Sequence, residues 1–285
     1  CRIHNLAEAN GLLEAHMSNA IQDRYGFMWF ATWNGLVRYD GNNYYTFKPV
    51  QCSGGTISSN RIFNIKRTGS GNLWCLSSDN KLYLFNTRSN SFFNIHKKTA
   101  LIQGKNVKKL IPLNKGITWV IFKDNSALRI IDNTPFQNYR YVKAKTKLLS
   151  WSNEINNVTC DSTGREWILT DKAAFIFGSH ANIKGKFKFV VSHAQKTWLI
   201  TESGKVVRYS RGKYFVLCNN AYKEKIRYTI FANDRLIIAG DNGVVSIDDA
   251  NGQIHTLSTT PTDYLYKDRK NRLWTFGKSN SVELI

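Results

Sequence analysis

A tryptophan set in a short apolar run recurs down this chain, and a chain built on such a repeat has few ways to fold. Trp29, Trp74, Trp119, Trp167, Trp198 and Trp274 each hold the position, and Ile237 holds it in a seventh copy. The steps between successive anchors are 45, 45, 48, 31, 39 and 37 residues. One apolar hairpin cannot bury both its faces alone, so copies of this period must stack. Short strands at this spacing predict an all-β fold, a seven-bladed β-propeller of four-stranded blades.

The turns carry the same period. Asp23-Arg24-Tyr25-Gly26 precedes Trp29, and Asp161-Ser162-Thr163-Gly164 precedes Trp167. Gly71, Gly116 and Asn271 stand at the same offset before Trp74, Trp119 and Trp274. Asp bonds its own backbone nearby, and Gly accepts positive φ, so each reads as a tight turn. Six residues past the anchors stand Gly35, Asn80, Asn125, Ala173, Gly204, Gly243 and Asn280. All but one are Gly or Asn, which enter the left-handed region most cheaply. Ala173 therefore predicts a differently shaped turn in the fourth copy.

A third strand is expected at 36–39, 82–85, 127–131, 175–177, 206–209, 244–247 and 282–285. A fourth is expected at 44–47, 91–95, 139–142, 187–191, 214–217 and 254–257. The seventh copy stops after its third strand, which would leave an open edge. The extended run Arg2-Ile3-His4-Asn5-Leu6 is expected to supply the missing strand and close the ring. Blade one then covers about 17–47, and the last blade about 262–285 plus 2–6, in one domain spanning 1–285. Helix is expected only in short pieces such as 7–13.

No run of ~18 apolar residues is present, so no helical membrane span is expected. The start at Cys1 reads as a processed or trimmed end, with a lipid-modified first residue as the alternative. The five cysteines form no C-x-x-C and read as idle or buried thiols rather than a disulfide framework. The net charge of +20 is uneven. Between Lys97 and Lys147 twelve Lys or Arg face two Asp, a local excess of ten. Two readings stand: a solvated basic face, or a site for a polyanion such as an acidic glycan, nucleic acid or a membrane surface.

The first copy resembles the two-component regulator propeller repeat. The match lies in Asp23-Arg24-Tyr25-Gly26-Phe27-Met28-Trp29 and Asn34-Gly35-Leu36-Val37-Arg38-Tyr39-Asp40, introduced by Asn10-Gly11-Leu12-Leu13. The resemblance implies the periplasmic sensor region of a Bacteroidetes hybrid two-component system. Such sensors detect oligosaccharides released from complex glycans. Downstream signalling domains of the same protein are implied as partners, and a homodimer is a further expectation. The recurring Asp, Gly and Trp transfer as structural residues, not as ligand contacts.

An enzyme is not expected, because Glu14, Glu154, Glu166, Glu202, Glu224 and Glu283 give no spaced carboxylate pair. Glycan-cleaving propellers are the rival class, and a protein–protein scaffold is the alternative reading. The six His are dispersed, with no H-E-x-x-H, Cys/His cluster or calcium loop, so no metal or cofactor is expected. Nucleic acid is not expected either: the aromatics follow strand period, which favours packing over base stacking.

Ligands of propellers usually meet the face made by the second-to-third-strand turns. That places Trp33 and Asn34 on the candidate face, with Lys123, Lys172 and Lys278 supplying charge for an anionic glycan. An exposed Trp33 would offer a platform for a sugar ring; the other reading packs it under the connection 48–59. Arg38 and Arg129 lie on third strands, where they are expected to line blade interfaces.

Overall fold

The computed structural model describes residues 17–49, 59–95, 102–113, 116–131, 140–142, 154–180, 182–267, 272–277 and 282–284. These residues form antiparallel sheets, each of strands consecutive in the chain. Sheet one holds β1 Met17–Gln22, β2 Met28–Thr32, β3 Gly35–Tyr39 and β4 Tyr44–Phe47. Sheet two holds β5 Ile62–Arg67, β6 Leu73–Ser77, β7 Leu82–Asn86 and β8 Ser91–Asn94. Sheet three holds β9 Val107–Pro112, β10 Ile117–Phe122, β11 Ala127–Ile131 and β12 Arg140–Val142. Sheet four holds β13 Ile155–Cys160, β14 Glu166–Thr170, β15 Ala173–Ile176 and β16 Asn182–Lys184. Sheet five holds β17 Phe187–His193, β18 Lys196–Thr201, β19 Val206–Ser210 and β20 Lys213–Cys218. Sheet six holds β21 Ile226–Ala232, β22 Arg235–Gly240, β23 Gly243–Asp248 and β24 Ile254–Ser258. Sheet seven shows three strands among the described residues: β25 Tyr264–Lys267, β26 Leu273–Phe276 and β27 Val282–Leu284.

The chain divides into two compact units. Residues 1–152 hold sheets one to three, and residues 153–285 hold sheets four to seven. The N-terminal run 2–6 and the short helix expected at 7–13 lie outside the described residues. So do Cys1 and Cys52; Cys75, Cys160 and Cys218 are free thiols, as the sequence implies.

One expected strand belongs elsewhere. The run 187–191 predicts, from its aromatic content, a strand at the end of the fourth copy. It is instead part of β17, the first strand of sheet five, paired to β18 through a turn at Ala194 and Gln195. The three-residue β16 closes sheet four. The 31-residue step from Trp167 to Trp198 leaves room only for this shortened strand.

The anchors explain the stacking. The second strands are buried on both faces, Leu73 to Ser77 and Glu166 to Thr170 throughout. A strand covered on both sides reads as a continuous apolar run rather than an alternating one. Three anchors pack on an aromatic of the following sheet: Trp29 on Phe85 at 5.3 Å, Trp167 on Tyr209 at 5.1 Å, Trp198 on Phe231 at 4.5 Å. Trp74 joins a buried cluster shared with Val120, Phe122 and Leu128 of sheet three. Trp274 is only half-buried. Arg38 lies opposite Trp29 on the neighbouring strand, with its guanidinium over the rings of Phe27 and Tyr45.

A buried indole must also bond its N–H. The Asp23 carboxylate takes the Trp29 N–H at 2.8 Å, and Asp161 takes that of Trp167 at 2.9 Å. The other oxygen of each accepts backbone N–H groups of its own turn. Sheet two has Thr68 in place of the Asp, and Trp74 donates instead to Thr118 of sheet three at 3.0 Å. Trp198 likewise donates to Asp249 of sheet six at 2.9 Å.

The turns six residues past the anchors follow the sequence. Gly35, Asn80, Asn125, Gly204 and Gly243 all have positive φ. At Gly243 a Cβ would meet the Ser258 carbonyl oxygen at 2.1 Å, so close approach adds to the backbone requirement. Ala173 has no positive φ; the Thr170 hydroxyl closes its turn, donating to the Ala173 carbonyl at 2.9 Å.

Burial works to raise the Asp161 carboxyl, but hydrogen bonds from Thr163, Trp167 and Arg165 overcome it and hold the group at about 2. A depressed carboxylate stabilises the fold above its ordinary value of 3.8, and that contribution is lost as pH falls towards 2. Asp161→Ala leaves the Trp167 and Thr197 donors without their acceptor. The expected cost is roughly 2–3 kcal/mol in urea unfolding at neutral pH. The difference from wild type should narrow when the comparison is repeated between pH 4 and pH 2.

Candidate functional site

The second-to-third-strand turns meet the starts of the first strands at one end of each sheet. There the residue four past the anchor donates its backbone N–H to the carbonyl just before the first strand. Ser78 bonds Arg61 at 2.9 Å, Lys123 bonds Asn106 at 2.9 Å, Asp171 bonds Glu154 at 3.2 Å and Asp241 bonds Lys225 at 3.2 Å. The same two positions in sheet five, Glu202 and Lys186, are joined by their side chains at 3.7 Å.

A β-bulge falls at the second residue of the first strand in each of sheets one to six. The residues left out of the ladder are Ser18, Phe63, Lys108, Asn156, Lys188 and Arg227. A bulge bends its strand and re-aims the extra side chain. The end of each of these six sheets therefore presents three variable positions on a fixed frame: the residue before the first strand, the bulged residue and the residue four past the anchor.

In the first unit this end carries Trp33, Arg61, Phe63, Lys108 and Lys123. Trp33 is 48% exposed in the turn between β2 and β3, and the Arg61 guanidinium lies 4.8 Å over its ring. Residues 50–58, most of the connection expected to cover Trp33, lie outside the described residues. The neighbouring Asn34 is exposed, with its backbone N–H on the Thr32 hydroxyl at 3.2 Å. Lys123 is exposed and makes no ion pair among the described residues. Its neighbour Asp124 is paired with Lys105. Burial works to raise Asp124, but bonds from Lys105 and Ser126 hold it at about 2.

In sheets five and six of the second unit the acidic positions at this end are paired with cations. Glu202 faces Lys188 at 3.3 Å, and the bond to Lys188 holds its carboxyl below the ordinary value. Arg227 bridges Asp241 at 2.5 Å and Asp263 at 3.0 Å. Lys172 is exposed in the turn of sheet four. Lys278 lies outside the described residues, as do Lys97, Lys98, Lys143, Lys145 and Lys147 of the basic stretch. Thus Trp33, Asn34 and Lys123 belong to one unit and Lys172 to the other.

Sequence reasoning missed Arg61 and Phe63. The bulge that re-aims Phe63 has no sequence signature. A cation directly before the apolar run of β5 was the only signal for Arg61.

These sheets are the blades of a β-propeller. Solved structures share the fold, each over 95% of this chain. The extracellular domain of the hybrid two component system BT4673 from B. thetaiotaomicron aligns with a TM-score of 0.51 at 14% identity, over 40% of its own length. BamB from Moraxella catarrhalis, a propeller, aligns at 0.52 and 13% identity over 85% of its length. A chain of the mitotic checkpoint complex aligns at 0.50 and 10% over 90%. The chain therefore spans about two fifths of the two-component domain it matches. No family model and no curated protein matches the sequence. Identities this low establish shared architecture, and function has to be argued from the site.

Exposure separates the tryptophans. Trp198→Ala is expected to cost about 3–5 kcal/mol, the range for emptying a buried aromatic site. Trp33→Ala should cost under about 1 kcal/mol, as for surface changes. Urea midpoints of the two variants check the difference.

Proposed function

We propose that this chain is a non-catalytic, ligand-sensing propeller, the periplasmic part of a membrane-anchored two-component signalling protein. Its ligand is a glycan-derived oligosaccharide bearing carboxylate or sulfate. The proposal includes membership of the two-component regulator propeller repeat family, and one ring of seven blades with residues 2–6 beside β27.

The observation that carries the reading is the Arg61–Trp33 pair. A half-exposed indole puts apolar ring area at the surface, where a sugar ring can pack. The guanidinium stacked on it makes no ion pair among the described residues. Charge-assisted, bidentate contact with carboxylate or sulfate is what a guanidinium does best. Lys123 adds a second cation and Phe63, 38% exposed, a second ring at the same end of its unit. At the matching end of sheets five and six, Lys186, Lys188 and Arg227 are taken up by carboxylates, so an anion has less to gain from them. The shared fold with the BT4673 extracellular domain supports a sensing rather than a catalytic role.

A thermal-shift screen against neutral, uronic and sulfated oligosaccharides tests the proposal. A ligand that binds only the folded chain stabilises it by about 2.7 kcal/mol at a hundredfold excess over Kd. One acidic class should raise Tm, with the shift lost in Arg61→Ala and in Trp33→Ala. No shift with any oligosaccharide favours a protein–protein scaffold, and product formation on the same panel favours an enzyme.

A further inference from the structure

A second charged feature lies at the opposite end of sheet five, where β18 begins and β19 ends. A cleft of about 540 Å³ is lined by Lys196, Arg208, Ser210, Arg211, Lys213 and Phe215. Four of the six are cations. Among the described residues one carboxylate reaches them, Asp249, and it is already heavily engaged: it accepts from Lys196 at 2.5 Å, from Arg208 at 3.2 Å and from the Trp198 indole at 2.9 Å. Arg211 and Lys213 are exposed and make no ion pair among the described residues. Arg208 retains a buried Nε with no hydrogen-bond partner.

The backbone favours the same reading. Arg211 and Gly212 form the two-residue turn between β19 and β20, with φ of 50° and 79°. Such turns prefer Asn, Asp or Gly at both positions. An arginine here adopts an uncommon conformation and sets a guanidinium at the rim of the cleft. Phe215 is 49% exposed beside these cations, giving the cleft one apolar wall.

We propose that this cleft is an anion site for the phosphate monoester group of a ligand. The lining carries three more positive charges than the one carboxylate cancels. A dianion fits that excess better than a single carboxylate does, and Arg and Lys are the usual donors to phosphate oxygens. Phe215 would lie against the carbon skeleton bearing the ester. None of its residues belongs to the Arg61–Trp33 pair, and it lies at the other end of sheet five from Glu202.

Titration calorimetry on the whole chain at about 0.15 M salt, where exposed charges are well screened, tests the site. Inorganic phosphate and glucose 6-phosphate are the probes, with glucose as the uncharged control. Saturable binding of both phosphates is expected, with glucose inert. The Arg211→Glu/Lys213→Glu double variant should weaken it at least fivefold, while Arg61→Ala leaves it unchanged. Both residues of the double variant are exposed, and an unchanged urea midpoint confirms that it folds. No phosphate binding, equal binding in the double variant, or a loss that follows Arg61→Ala overturns the proposal. Vesicles of phosphatidylcholine with and without phosphatidic acid identify the source. Binding that needs phosphatidic acid and is competed by inorganic phosphate assigns a lipid headgroup to the site. Binding of the soluble phosphates alone assigns a free ester.

Discussion

Everything else in the structure depends on burying an indole together with its N–H. A tryptophan supplies the area that holds two sheets face to face, but its one donor cannot be left without a partner inside that stack. Asp23 and Asp161 solve the problem locally, since one carboxylate closes the turn and accepts from the anchor. Asp161 also accepts from Thr197 of the next sheet, so one group fixes turn, anchor and neighbour together. Where the carboxylate is missing, the indole reaches across to Thr118 or Asp249. In that case the acceptor itself ties consecutive sheets.

This way of stacking determines where function can sit. The second strands of sheets two to six are almost wholly buried, so variable chemistry is found at the ends of the sheets. Turns and bulges there can change residue type without disturbing the stack, as binding residues on loops do over a rigid scaffold. The bulge repeated at one position in six sheets gives those six blades the same three sites for different side chains. Trp33, Phe63, Lys123, Glu202 and Arg227 are occupants of one structural frame.

A net charge of +20 says little until the pairs are known. The cations around Glu202, and Arg227 between Asp241 and Asp263, have carboxylates within reach. Arg61, Lys123, Arg211 and Lys213 make no such pair among the described residues. Other cations make no ion pair among the described residues either, but these have a distinct setting: Arg61 lies over the Trp33 ring, and Arg211 and Lys213 line the cleft of sheet five.

The sequence by itself determined the strand repeat, the anchors and the left-handed turns. Each is a local demand: a large apolar side chain needs burial, and a tight turn needs a residue that tolerates positive φ. The exception at Ala173 was legible too, since a residue that avoids positive φ predicts a turn of another shape. The placement of 187–191 was not, since an apolar run shows that a strand exists but not which neighbour it pairs with. Trp33 could be nominated from its polar turn, yet its partner Arg61 lies 28 residues further along the chain and on another sheet. The bulged residues, the cross-sheet acceptors Thr118 and Asp249, and the basic cleft were decided only by the tertiary structure. All of them join residues that the chain separates and that packing alone brings within hydrogen-bonding or charge-pairing distance.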